Sequence, residues 1–382
     1  MPRPLKIGVN ALYLIPGGVG GTEIYLRNLL SALAAIDKHN QYFIFTNRET
    51  GKDLCPRTQN FQTVAARVPA RIRPARLLWE QIVLPLQGFF RGLDVMFSPG
   101  FTAPLLTSAR KVTVIHDLQH KKQPGNFGAL ERRAWDLMVW SGARHSHFLI
   151  TPSEASKRDV VAAYGVLESK VRAIHHGVEP DFLGLRGNPF YEESFLAEAG
   201  LPAERYLLAV STVHPHKNWE RLLDAYQQVT EHGFIEHLVV AGLPGKSWDT
   251  VHEQLKRSGL EDRVHLLGWQ PRRVLLTLFK FAEALVFPST FEGFGIPVLE
   301  AMAAGLPVAC SDIPPLREIA DGAAVFFDPA STEAIREGIK SVLGDLARRE
   351  QIVASGLEKA KGCTWQRAAE KTLAVFLDAG RR

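Results

Sequence analysis

Short apolar runs rich in Val, Ile and Leu, alternating with stretches of helical spacing, recur along the 382 residues and constrain the fold more than any other feature. In the first half the runs are "LKIGVNAL", "YFIFTN", "LDVMFSPG", "KVTVIHD" and "HFLITPS". Runs of this kind are what a parallel sheet covered by helices on both faces requires. Between the first two, Leu26, Leu29, Leu30 and Leu33 follow helical spacing and form one apolar stripe. After residue 204 the rhythm restarts with "YLLAVST", "EHLVVAG", "RVHLLGW", "EALVFPS", "LPVACSD" and "AAVFFDP". A chain of this length exceeds what one hydrophobic core usually holds, so two successive α/β sheets are expected.

Residues 179–204 carry Gly and Pro breaks without a strand-like run, which places the linker there. The expected domains are therefore 1–180 and 181–382, with ligands in a cleft between them. After Asp328 the chain reads as helices to the end, with Thr364 as N-cap of "WQRAAEKTLAVFL". Sequence leaves open which domain the last helix packs on.

Charge divides the same way. Residues 1–180 carry 23 Lys and Arg against 13 Asp and Glu, whereas residues 181–382 carry 22 against 27. A basic half suits an anionic surface, and an uneven solvated surface would give the same counts. Within it, residues 66–85 interleave Arg67, Arg71, Arg73 and Arg76 with apolar residues. That segment reads either as a seat on anionic lipid or as a basic loop leading into a core helix. No apolar run approaches the roughly 20 residues needed to span a bilayer, and the N-terminus enters a strand pattern directly, so a cytoplasmic location is expected. Cys55, Cys310 and Cys363 lie far apart, form no metal-ligand cluster, and are expected as free thiols.

Four stretches could carry chemistry. "PGGVGGTEIYLRNLL", residues 16–30, is a glycine-rich turn between a strand and a helix, where backbone N–H groups can approach a phosphate. It departs from the dinucleotide fingerprint, because Glu23 stands at the third glycine position. Taken alone it reads first as a flexible strand-to-helix turn. His116 and Asp117 end the strand of "VTVIHDL", at the strand end where open α/β sheets bind ligands. His116 could donate to a sugar hydroxyl, share a proton, or simply be a structural hydrogen bonder. In "LAVSTVHPHKNWERLL", Lys217 follows His214 and His216 and puts a positive charge beside a helix start, suited to a diphosphate or to plain solvation. Finally, "FEGFGIPVLEAMAAGLPV" sets Glu292 and Glu300 with seven residues between them across a loop and a helix that opens at Pro297. Glycosidase carboxylates lie roughly 5–9.5 Å apart, while eight helical steps rise about 12 Å, so one extended ligand held at both ends fits the pair better.

Together these stretches resemble the retaining, nucleotide-sugar-dependent glycosyltransferases typified by bacterial α-mannosyltransferases and sucrose synthases. The resemblance implies the α/β GT-B fold, two Rossmann-like domains facing a cleft, the first for the acceptor and the second for the donor. Its most specific element is Glu292, seven residues, Glu300; "AIHHGVEPDF" also matches, with His176 where Asn is common. By position, Glu300 would bind the ribose hydroxyls, and Glu292 with Gly293, Phe294, Gly295 and Ile296 the donor sugar. Lys217 with Gly20 and Gly21 would hold the diphosphate, and His116 would contact sugar hydroxyls beside the reacting carbon. The family often has Arg where this chain has Thr212, which shifts leaving-group stabilisation onto Lys217, with His216 as its possible helper. His116, Lys217 and Glu292 would then be the catalytic group.

The implied activity is transfer of a hexose, mannose from GDP-mannose first, to a glycan or lipid-linked acceptor. No metal or other cofactor and no nucleic acid are expected, and contact with the inner face of an anionic membrane is an expected extra. A GT-B epimerase or hydrolase working without acceptor is the alternative. A nicotinamide oxidoreductase is disfavoured by Glu23, and a silent nucleotide-binding partner by the joint presence of His116, Lys217 and Glu292.

Overall fold

The computed structural model describes residues 3–381 apart from 19, 202–204, 231, 232, 234 and 236. The chain forms two compact units, the first ending at Gly177 and resuming at Thr364, the second running from Val178 to Cys363.

Among the described residues the first unit holds β1 (Lys6–Asn10), β2 (Gln41–Thr46), β3 (Phe61–Ala65), β4 (Val95–Ser98), β5 (Arg110–Val114), β6 (Phe148–Thr151) and β7 (Val171–Ala173). They pair in parallel in the order β3-β2-β1-β4-β5-β6-β7. The second unit holds β8 (Tyr206–Val210), β9 (His237–Ala241), β10 (Val264–Gly268), β11 (Ala284–Phe287), β12 (Val308–Ser311) and β13 (Val325–Phe327). These too are parallel, ordered β10-β9-β8-β11-β12-β13. In each sheet the strand order reverses direction once, between β1 and β4 and between β8 and β11. Chain leaving the carboxyl ends of such a strand pair diverges to opposite faces and opens a crevice for ligand.

All eleven apolar runs became strands, and β3 and β7 are additions that no run announced. The reason is their place. Both are edge strands, β3 half-buried and β7 only three residues long, so neither needs a continuous apolar stretch.

Helix Gly21–Ile36 buries Leu26, Leu29, Leu30 and Leu33 completely, as their spacing requires. The last helix, Trp365–Gly380, is capped by Thr364, whose Oγ1 accepts the Arg367 N–H at 3.2 Å. Its apolar stripe, Ala368, Ala369, Val375, Phe376 and Ala379, lies in one core with Leu26, Leu29 and Leu33, and Phe376 meets Phe97 edge-on at 5.0 Å. The expected second domain, running to residue 382, is corrected accordingly: this helix belongs to the first unit. The expected linker is also not a linker. Phe182, Leu185 and Leu196 are fully or almost fully buried in the core of the second unit, within short 3-10 turns. Positions 202–204 of that stretch lie outside the described residues.

Among the described residues no helix is long and apolar enough to cross a membrane, and no group of His, Cys, Asp and Glu is placed to hold a metal. The three cysteines are free thiols, as expected.

Candidate active site

In the second unit the switch point brings two loops together. After β8 the chain makes a 3-10 turn at Pro215–Lys217 and enters helix Trp219–Thr230. After β11 it runs through Glu292 into helix Ile296–Ala304. The junction residue Asn218 takes φ 61, a left-handed conformation that Asn tolerates better than most residues. Its Nδ2 donates to the Pro288 carbonyl at 3.1 Å and to the Pro329 carbonyl at 2.8 Å. Thr290 donates its N–H to the His216 carbonyl at 2.8 Å and its hydroxyl to the same oxygen at 3.1 Å. These bonds fix the two loops to each other before any ligand arrives.

Across that seam Lys217 Nζ lies 2.5 Å from Glu292 Oε1, and the two side chains are only 15% and 14% exposed. Lys217 Nζ also sits 5.3 Å from the centre of the Phe287 ring. A cation and a carboxylate this far out of water each need the other, since an unpaired buried charge is strongly disfavoured. His216 brings no second charge: burial, then the Lys217 cation, push its imidazole down to about 3. Thr212 is half-buried two residues past β8, and its carbonyl accepts the His214 N–H at 2.9 Å.

Beyond Glu292 and Gly293 the loop tightens. Phe294 is buried, and Gly295, the N-cap, takes φ 114, where a Cβ would stand 2.4 Å from Leu316 Cδ2. Only glycine fits both the angle and the space. Ile296 and Pro297 then open the first helical turn. Glu300 lies one turn further, 6% exposed among Val298, Leu299, Ala301 and Met302. Burial, reinforced by the Glu179 charge and opposed by Arg272, pushes its carboxyl up to about 8. Arg272 is held by Glu179 at 3.1 Å and Asp181 at 3.5 Å. Among the described residues no side chain or backbone group donates to Glu300, so its acceptor capacity is uncommitted.

In the first unit, Gly20 is the N-cap of helix Gly21–Ile36 with φ 57, and Gly21 is its first residue. The N–H groups of a first helical turn have no partner within the helix. Glu23, the residue that breaks the fingerprint, fastens this turn instead: its Oε2 accepts the Gly17 N–H at 2.8 Å and its Oε1 the Arg27 Nε–H at 2.7 Å. His116, two residues past β5, has Nε2 2.8 Å from the Pro99 carbonyl oxygen. A carbonyl can only accept, so Nε2 carries the proton and Nδ1 keeps a lone pair. Burial pushes the ring down to about 4, so it is neutral at physiological pH. His116 can therefore accept from a hydroxyl through Nδ1, while its Nε2 proton is committed to the Pro99 carbonyl.

The His116 ring is boxed by Tyr25 at 5.0 Å, Phe101 at 5.3 Å and His176 at 5.8 Å. His176 in turn meets Tyr25 at 4.9 Å and Trp365 at 5.8 Å. Sequence reasoning flagged His176 only as a departure from Asn and missed Tyr25, Phe101 and Trp365. Phe101 takes φ 69, which is rare for a bulky residue and which the sequence does not announce. The structure thus unites Lys217, Glu292 and the Gly293–Ile296 loop within one unit, with Glu300 on the helix that follows, while His116, Gly20 and Gly21 belong to the other.

Two parallel Rossmann-like sheets, each with polar residues gathered past the carboxyl ends of its strands, have the GT-B fold. Residues 193–359 match the model of "Glycosyl transferases group 1" and residues 19–182 that of "Glycosyltransferase Family 4". The chain belongs to the glycosyl transferases group 1 family, and it resembles bacterial mannosyltransferases. It is 27% identical over 268 residues to the O-antigen chain mannosyltransferase B of Escherichia coli, with 70% of each chain covered. It is 30% identical over 266 residues to an uncharacterized glycosyltransferase of Methanocaldococcus jannaschii, with 67% of each covered. The structure of Anabaena HepE in complex with UDP-glucose shares the fold with a TM-score of 0.75 at 18% identity, covering 97% of this chain and 100% of that one.

Proposed function

We propose that the protein is a retaining hexosyltransferase that moves a hexose, mannose from GDP-mannose in the first instance, from a nucleotide sugar to a glycan or lipid-linked acceptor. The observation that carries this reading is the Lys217–Glu292 pair at the switch point of the second sheet, followed at the family's spacing by the uncommitted carboxyl of Glu300. The UDP-glucose seen in HepE and the mannosyltransferase name of the Escherichia coli relative support donor class and sugar respectively.

In this reading Glu300 accepts from the ribose hydroxyls, and Glu292 with the Gly293–Ile296 loop holds the sugar. As the bond from the anomeric carbon to the diphosphate breaks, the sugar becomes oxocarbenium-like and the leaving oxygen gains negative charge. Lys217, already fixed by its loop, stabilises that oxygen, as preorganised charge does best in a site that water leaves. The Gly20 and Gly21 N–H groups serve the same diphosphate, and the Nδ1 lone pair of His116 a sugar hydroxyl. The acceptor oxygen attacks from the face the diphosphate leaves, and the departing phosphate oxygen takes its proton, which conserves the anomeric configuration. Charge on the diphosphate is met by Lys217 and backbone N–H groups, so turnover is expected to survive EDTA.

The experiment is a thermal-shift panel of nucleotide sugars followed by product analysis with candidate acceptors. A product of inverted configuration would exclude the same-face displacement. Donor consumption at an equal rate without acceptor would exclude transfer.

The basic segment gains a specific support from the structure. Helix Arg73–Arg91 buries Leu84 in a core on one side and leaves Leu78, Ile82, Leu86, Phe89 and Phe90 more than half exposed along the other. That stripe carries no acid, Glu80 being buried, and Arg71, Arg73 and Arg91 stand at its ends. Apolar residues between basic ends suit the anionic surface of a membrane that carries the acceptor. Sedimentation with liposomes tests it: recovery should need anionic lipid and should fall in Phe89→Ser/Phe90→Ser, and equal recovery with neutral lipid would remove the idea.

A further inference from the structure

At the amino ends of β5, β6 and β7 the first unit encloses a cavity of about 470 Å³. Its wall includes Arg110, the first residue of β5, together with Arg144, His147, Lys170 and Arg172, and no acidic side chain is part of that wall. The position is opposite to the site described above, because His116 follows the other end of β5. Six steps along the chain lead from Arg110 to His116, about 20 Å when extended.

Two of the cations, Arg144 and Arg172, are oriented rather than loose. Arg144 Nη1 donates to the carbonyls of Tyr164 at 3.3 Å and Gly165 at 3.4 Å. Arg172 Nη1 donates to the Ser169 carbonyl at 2.6 Å, and its guanidinium lies 5.3 Å from the centre of the Phe148 ring. Each guanidinium has five donors, so these bonds to neutral oxygens fix direction without neutralising charge. His147 accepts the Lys111 N–H at its Nδ1 at 3.1 Å, which puts the ring proton on Nε2 as a further donor. Burial first, then the charges of Arg110, Lys111 and Lys170, hold that imidazole below its ordinary range, which registers the positive field in the cavity. The acids of the adjoining groove, Glu154 and Glu168, are engaged by Lys157 at 3.4 and 3.2 Å.

Four permanent cations in a concave wall of this size exceed what one small monovalent ion needs. Planar guanidiniums held at fixed angles match phosphate oxygens in pairs. We infer that this cavity is a second anion site, which takes a ligand carrying two or more phosphate groups. The phosphates belong either to a free small molecule or to a lipid head group.

The probe is tripolyphosphate, titrated calorimetrically into the full chain carrying Lys217→Ala, which weakens the diphosphate site proposed above. Binding near one equivalent is expected, weakened at least ten-fold by Arg144→Gln/Arg172→Gln and separately by Lys170→Gln, with the thermal melt unchanged. Vesicles of phosphatidylcholine with a phosphatidylinositol bisphosphate form the second arm. Binding to them that is lost in the same variants, without binding of the free ion, assigns the phosphates to lipid. No binding in either arm, or binding that these replacements leave untouched, overturns the inference. Neither result depends on the transferase reading.

Discussion

Lys217 and Glu292 neutralise one another in the empty protein, so each masks what the other would offer a donor. Removing the carboxylate charge should free the cation: Glu292→Gln is expected to bind a nucleoside diphosphate several-fold more tightly by calorimetry while losing turnover of the nucleotide sugar. Lys217→Gln should lower kcat/KM by about 10²–10³, the usual loss of one charge-stabilising donor. Equal losses of diphosphate affinity in both variants would contradict the masking. Glu300 gives a pH prediction. Its carboxyl is raised to about 8 from an ordinary 4.5, so the empty fold holds an extra proton between those values. Stability of the empty protein should therefore fall as pH rises from 4.5 to 8, by about 4 kcal/mol as an upper limit, and Glu300→Gln should flatten that slope. Hydroxyls prefer the carboxylate, so nucleotide affinity should rise over the same window by up to about ten-fold per pH unit, with Glu300→Gln again flat. At this scale the spacing of Glu292 and Glu300 was legible, because both belong to one local motif. The Lys217–Glu292 contact was not, since it joins positions on two loops that only the sheet order brings together. The state of His116 was hidden for the same reason: its tautomer is set by the carbonyl of Pro99, past a different strand.

The elements show why those loops hold still. β8 and β11 are neighbours at the switch point, and Asn218 and Thr290 bind the chain leaving one strand to the chain leaving the other. Gly295 performs a matching task at the helix start, and it supplies the prediction here. Gly295→Ala must place a Cβ 2.4 Å from Leu316 Cδ2 and hold an L residue at φ 114. Strain of that kind costs about 1–3 kcal/mol, a loss of roughly 3–10 °C in Tm for a unit of this size. A melt equal to the parent's would mean that the loop re-forms around alanine. Buried parallel strands announce themselves as apolar runs, which is why every run became a strand. β3 and β7 gave no such signal, since an edge strand is held by one neighbour and leaves its outer side to solvent.

At the scale of the whole molecule the chain builds one unit, crosses into a second, and returns to finish the first with its last helix. The apolar pattern of "WQRAAEKTLAVFL" shows a helix with one face to bury and is silent about which core receives it. Only the partners decide: Phe376 against Phe97, and Trp365 near Tyr25 and His176 beside His116. Completion of the first unit, and of the ring box around His116, therefore depends on residues nearly two hundred positions downstream of Gly177. Two variants separate this dependence from a general effect. Phe376→Ala, which empties a fully buried site, should cost the first unit about 3–5 kcal/mol and lower its calorimetric transition, leaving a transition of the second unit in place. A chain ending at Cys363 should lose the first transition altogether, while its second unit still binds a nucleoside diphosphate, more weakly than the intact protein by what the Gly20 and Gly21 N–H groups contribute. That result follows because Lys217, Glu292 and Glu300, with every hydrogen bond described around them, lie within residues 178–363. If the shortened chain instead keeps both transitions, the last helix is an ornament on a core already complete. If it loses nucleotide binding along with the first transition, the second unit does not hold its site unaided.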